Sequence, residues 1–273
     1  MTKRFPLSGI VGAVLVCAIL AMAALSFAWT PYDPLHAVPS ERLLGMSAQH
    51  WAGTDRFGRD VFSQLMVGAR ISLMVGVVAV GIGMGLGTPL GILAGMRGGW
   101  ADQIVMRISD VLLAFPALLM AIVTGAIFGA STLSAMVAIG VAGIPGFARV
   151  ARAGTRQLMS RDFVAAARIN GVTGVRLAAR HIAPNIVGIV IVQASVAFAL
   201  AILAEAALSF LGLGTPPPDP SWGRMLQSAQ AALGSSPMLA VWPGAAIACA
   251  VLGFNLLGDG LRDYFDPKHK ERQ

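Results

Sequence analysis

Charge is scarce in this sequence. Charged residues are 12% of the 273, against 56% hydrophobic; a soluble domain carries about 25% charged residues. That deficit excludes an ordinary soluble surface. Lysine occurs only at positions 3, 268 and 270, which rules out a G-x-x-x-x-G-K-[ST] phosphate loop in the body of the chain. The two cysteines, Cys17 and Cys249, both lie inside apolar runs, so a disulfide framework is not expected. His36, His50, His181 and His269 are scattered, and no Cys or His pair has metal-ligand spacing. With no H-E-x-x-H and no G-x-S-x-G, no catalytic residue and no metal site is expected. The net charge of +7 does not point to nucleic acid, because the basic residues fall between apolar runs, as orientation signals do.

What the chain does have is long apolar runs, several reaching the roughly 20 residues a bilayer-spanning helix needs. They cover about 7–29, 71–96, 104–128, 133–147, 186–207 and 238–257. The first exceeds the apolar core of a signal peptide and reads as a retained helix. In the second, Gly83, Gly87, Gly91 and Gly95 repeat every four residues, a stripe that lets another helix come close. Pro89 should kink that helix, and Pro145 should break the fourth. The reading is an all-α integral membrane protein with six spans. Residues 1–29 form a tip and first helix, 30–68 a loop, and 69–273 the core, with further loops at about 148–183 and 208–236.

Orientation follows from Lys and Arg. Lys3, Arg4, Arg97, Arg149, Arg152, Arg156, Arg161, Arg168, Arg176, Arg180, Arg262, Lys268, Lys270 and Arg272 fall on one side, which is expected to be cytoplasmic with both termini. The 30–68 and 208–236 loops then face outward. In 30–68, Asp33, Glu41, Asp55 and Asp60 nearly balance Arg42, Arg56 and Arg59.

Several residues admit two readings. Glu205, near the outer end of the fifth span, is either a hydrated or paired structural carboxyl or part of a gate. Arg107 and Asp110, three apart, suit a pair on one helix face. Asn255, Asp259, Arg262 and Asp263 are expected to end the sixth span and meet a partner or the basic loop. The stiff run Pro216, Pro217 and Pro218, with Trp222, forms a lid, a ledge for a partner, or a rigid turn. Asp55, Arg59 and Asp60 in "GTDRFGRD" carry the same alternatives.

One stretch breaks the apolar pattern without being merely polar: "RDFVAAARINGVTGVRLAARHIAPN", 161–185. Asp162 to Asn170 holds good helix formers and stops at Gly171, a natural C-cap. Gly174 to His181 makes a second short pattern, closed by Pro184. Ala165, Ala166 and Ala167 offer a small-residue surface, ringed by Arg168, Arg176 and Arg180. Taken alone, the stretch also suits a basic loop held near anionic membrane lipid.

These residues resemble the cytoplasmic EAA-type loop of ATP-binding-cassette importer permeases. "GTDRFGRDVFSQ", "RISDVLLAFP", "RHIAPN", "AEAALSFLGLGTPPPDPSWG" and "FNLLGDGLRDYFDP" extend the likeness along nearly the whole chain, to the C-type permease of the dipeptide, oligopeptide and nickel importers. The resemblance implies a type I importer permease fold in a bacterial inner membrane. It also implies a homologous B-type permease, two ATPase subunits that carry the ATP and Mg, and an extracytoplasmic solute-binding protein. Asp162, Ala165, Ala166, Ala167, Arg168, Gly171, Arg176, Arg180 and Pro184 would be the ATPase-coupling element. Ala165 stands where the family has glutamate, so Asp162 or backbone shape would take over its docking role. Peptides are the default solute, with nickel, glutathione and opines as alternatives. An ion-gradient-driven secondary transporter is a further reading, disfavoured because the charges sit at span ends.

Overall fold

The computed structural model describes residues 6–129 and 131–265. The basic terminal residues Lys3, Arg4, Lys268, Lys270 and Arg272, which the orientation argument uses, lie outside the described residues, as does His269. Among the described residues ten α-helices follow in order: α1 (Leu7–Ala28), α2 (Val61–Arg97), α3 (Gly99–Ala114), α4 (Ala117–Phe128), α5 (Thr132–Met159), α6 (Asp162–Ile169), α7 (Gly174–Leu177), α8 (Ala183–Phe210), α9 (Trp222–Ala229) and α10 (Met238–Phe265). Among the described residues the only β pairing is one isolated bridge, Thr54 to Asp60.

Among the described residues five helical stretches are long and apolar enough to cross a bilayer, and α3 with α4 makes a sixth only as a broken span bent by 80°. The apolar run at 104–128 suggests one straight helix, but "FP" divides it. Pro116 forces Phe115 out of helical geometry, to φ −92° and ψ 123°.

The fourth span departs from expectation in the other direction. Pro145 does not end it; α5 continues to Met159. Packing explains why. Phe147, Ala148 and Ala151 are fully buried and lie against the glycine stripe of α2. A Cβ on Gly83 would fall 3.2 Å from Phe147 Cδ2, one on Gly87 or Gly91 would strike the Ile144 or Ala148 carbonyl, and one on Gly95 would meet Thr155 Cβ at 2.7 Å. The seam holds the two backbones together on both sides of Pro89 and Pro145, and neither proline interrupts its helix. The basic loop therefore starts near 160, not 148.

Elsewhere small residues again set the packing. A Cβ on Gly12 of α1 would collide with the α10 backbone at Leu256 and Leu257. Phe198 of α8 stacks on Phe254 of α10 with ring centroids 4.1 Å apart. The last helix, expected to stop at 257, runs to Phe265, whose ring sits against Gly188 of α8. At the other end, α2 begins at Val61 rather than 71, because the Asp60 side chain accepts a hydrogen bond from the Ser63 amide and caps it.

Candidate functional site

The residues between α5 and α8 fold into a hairpin. Helix α6 closes with Gly171 at φ +78°. The Val172 amide reaches the Ala167 carbonyl (3.0 Å) and the Gly171 amide the Arg168 carbonyl (2.9 Å), the two bonds of a Schellman stop. Gly174, at φ +56°, starts the return. The second helical piece was expected to close at Pro184. Instead α7 passes through a π turn, Ala178–Ile182, straight into α8, one helical stretch from Gly174 to Phe210. The Ala183 amide bonds back five residues to Ala178. The ladder changes register there, where a residue without N–H is least disruptive.

The hairpin has a root and a tip. At the root, Val164, Leu177 and Ile182 are at most 1% exposed. With Ala167 they join Ile92 of α2, Phe147 and Ala151 of α5, and Ile186 and Val190 of α8 in one apolar cluster. Burying four such side chains contributes several kcal/mol, at about 25 cal/mol per Å² of apolar area. At the tip, Ile169 is 87% and Val175 85% exposed, with Phe163 half-exposed. Asp162, Ala165, Ala166, Arg168, Arg176, Arg180 and Pro184 are exposed too. Eight of the nine coupling candidates thus lie in the hairpin and the ninth, Pro184, at the start of α8; only Ala167 is buried. Phe163, Ile169 and Val175 escaped the sequence reading. For Ile169 the signal is an apolar residue on the α6 face opposite Val164 and Ala167. Between α2 and α7 lies a groove of about 770 Å³, lined mainly by apolar residues, with Arg97 and Arg168 in its wall.

Two carboxylates organise α3 against α5. Asp102 takes a two-pronged ion pair from Arg152, with its second prong at 2.7 Å, and a third contact from Arg156 at 3.0 Å. Asp102 was not singled out from sequence; its partners are 50 and 54 residues away. Asp110 does not pair with Arg107 as its spacing suggested; it bonds Arg149 of α5 at 2.7 Å.

Glu205 is fully buried, not hydrated at an interface. Ser209 donates to Oε1 at 2.7 Å, Thr215 to the same oxygen at 3.4 Å and Ser72 of α2 to Oε2 at 3.3 Å. A buried carboxyl needs such partners, since leaving one unpaired costs several kcal/mol. Glu205 therefore ties α2, α8 and the Pro-rich loop at one junction. Asp259 and Arg262 are exposed and lie within α10, not beyond its end.

The loop candidates divide. Asp60 and Trp222 are buried at 3% and 0%, so neither offers its side chain to a partner. Asp60 caps α2 and accepts from His50 Nδ1 at 2.9 Å; the Trp222 indole donates to the Leu65 carbonyl at 3.0 Å. Asp55 accepts from the Phe57 and Arg59 amides and from Gln64. Pro217 is exposed and Arg59 half-buried.

Residues 87–271 match the family described as binding-protein-dependent transport system inner membrane component, and the chain belongs to that family. It is the permease component of an ABC importer, a membrane subunit of the transport-permease type. It is 43% identical over 261 residues to the dipeptide transport system permease protein DppC of Alkalihalophilus pseudofirmus, covering 96% of this chain and 86% of that protein. It is 44% identical over 257 residues to the glutathione transport system permease protein GsiD of Pectobacterium atrosepticum, covering 92% and 85%. Its fold is similar to an inward-facing structure of the MetNI methionine ABC transporter, with TM-score 0.60 and 17% identity over 74% of this chain and 97% of that one.

Proposed function

We propose that the chain forms half of the translocation path for a peptide-like solute and that the 162–182 hairpin is where a cytoplasmic ATPase acts on it. The observation that carries this is the hairpin's construction: an exposed apolar tip on a root shared by three membrane helices. Large exposed apolar side chains on a compact element mark an interaction surface. A force on the tip reaches α2, α5 and α8 together, because the root is close-packed and deforms little. The partners in this reading are a homologous B-type permease, two ATPases holding ATP and Mg, and an extracytoplasmic binding protein. Both termini and the hairpin are cytoplasmic, and the 30–60 and 211–236 segments lie outside. Asp162, exposed one helical turn before Ala165, supplies the acid that Ala165 lacks.

A dipeptide or glutathione, the solutes named for the relatives, fits best; nickel and opines are comparison solutes. Ile169→Asp with Val175→Asp should leave the permease folded and inserted, because both side chains are already exposed. Co-purification of the ATPases and uptake of labelled dipeptide or glutathione should both fall at least tenfold, the effect of losing a central apolar contact of about 1.4 kcal/mol or more. Full ATPase binding by the double variant would remove the hairpin from the coupling role.

A further inference from the structure

Along the chain, acids and arginines in the 30–60 segment nearly balance. The fold separates them. Every acid there is turned inward or engaged locally. Asp33 accepts from the Leu35 amide, Glu41 faces His50 Nε2 at 3.5 Å, Asp55 holds its own turn and Gln64, and Asp60 holds His50 and Ser63. The arginines form no ion pair among the described residues. Arg42 Nε donates to the Arg56 carbonyl. The Arg56 and Arg59 guanidiniums flank Phe57, 4.6 and 5.0 Å from its ring centroid. Arg59 Nε is buried with no hydrogen-bond partner.

Arg224, from a distant part of the chain, comes to the same place. It lines, with Arg56, Gln227, Ser228, Gln230 and Ala231, a polar depression of about 540 Å³. Its Nη1 donates to Gln227 Oε1 at 2.5 Å, which fixes the guanidinium. No carboxylate lines the depression, and Asp219, in the neighbouring loop, pairs with neither arginine.

We propose that this depression seats an acidic surface of the solute-binding protein, with Arg56 and Arg224 receiving its carboxylates. The inference rests on the proposed function, in which this end of the bundle is extracytoplasmic. Guanidinium is weakly hydrated and its fork matches a carboxylate, and both arginines are already held in place before a partner arrives. A free peptide is a poorer occupant: its ammonium needs an acid, and the depression has none. The family's transport depends on a binding protein, which must be received at the outer face.

The test uses the assembled transporter in lipid nanodiscs and the purified binding protein. Arg56→Glu with Arg224→Glu should slow association of the binding protein about tenfold or more at low salt and flatten its salt dependence. Arg56→Gln with Arg224→Gln should act in the same direction and less. Basal ATP hydrolysis should be unchanged in both. Unchanged association kinetics in the charge-reversed variant overturn the proposal, including where only solute uptake falls. Arg56→Cys, probed with an impermeant thiol reagent in intact cells, separates the two levels of the argument. No labelling from outside sinks the orientation and the docking site together; labelling with unchanged kinetics sinks the docking site alone.

Discussion

The hairpin at 160–182 and the segment at 29–60 both leave the same helical bundle, and they keep their shapes by different forces. The hairpin has no ion pair among the described residues and few side-chain hydrogen bonds. It stands because Val164, Ala167, Leu177 and Ile182 are packed into the helices beneath it. The 29–60 segment buries little apolar area of its own and is stitched by polar groups: His50 to Asp60, Thr54 to the Leu44 amide, Asp55 to its own turn. The hairpin's shape thus belongs to the bundle and must follow it when helices move. The polar segment carries its own shape, as a platform should.

The sharpest way to break this contrast is Leu177→Ala. Removing a fully buried leucine from the hairpin root should cost about 3 kcal/mol. Amide exchange should rise across 162–182 and stay unchanged across 44–60; a rise in both segments would mean they are not independent. Next in size is Asp60→Ala, which removes the cap of α2 and the partner of buried His50 Nδ1. It should cost about 2 kcal/mol, with exchange rising in 44–63 and the hairpin untouched. Smaller still is Gly171→Ala. A Cβ there meets nothing within 4 Å, so only the positive φ resists it, at about 1 kcal/mol. Gly171→Val should be worse and should weaken ATPase binding before it affects insertion. Ala165→Glu, at an exposed site, should change thermal stability by less than about 0.5 kcal/mol.

The spans were legible because lipid demands long apolar runs, and the α2 seam because four glycines at helical spacing have one obvious use. The hairpin was legible in outline: Gly171 stops α6 as its sequence indicates. What escaped were features decided by distant partners. Pro145 reads as a stop until Gly87 and Gly91 let α5 pack through it without ending. Arg152 and Arg156 read as orientation signals until Asp102 pairs with them. Asp60 and Trp222 read as surface because polar and aromatic residues in a loop usually are; their burial depends on His50 and Leu65. The break at Phe115 was available locally, since Pro116 forbids helix at the residue before it, and an unbroken apolar run concealed it.

The π turn at 178–182 has a consequence for how this chain tolerates change in length. A π turn holds one residue more than an α turn, so the helix from 174 to 210 carries a spare residue at one place. Deleting one residue there closes an ordinary turn and leaves both flanks facing as before. The same deletion anywhere else in α8 rotates everything on one side of it by about 100°. Pro184 alone stands in the way: in a regular ladder its missing N–H and its ring cost about 3 kcal/mol. Shortened versions of this helix should therefore lose one residue of the π turn and carry another residue in place of the proline.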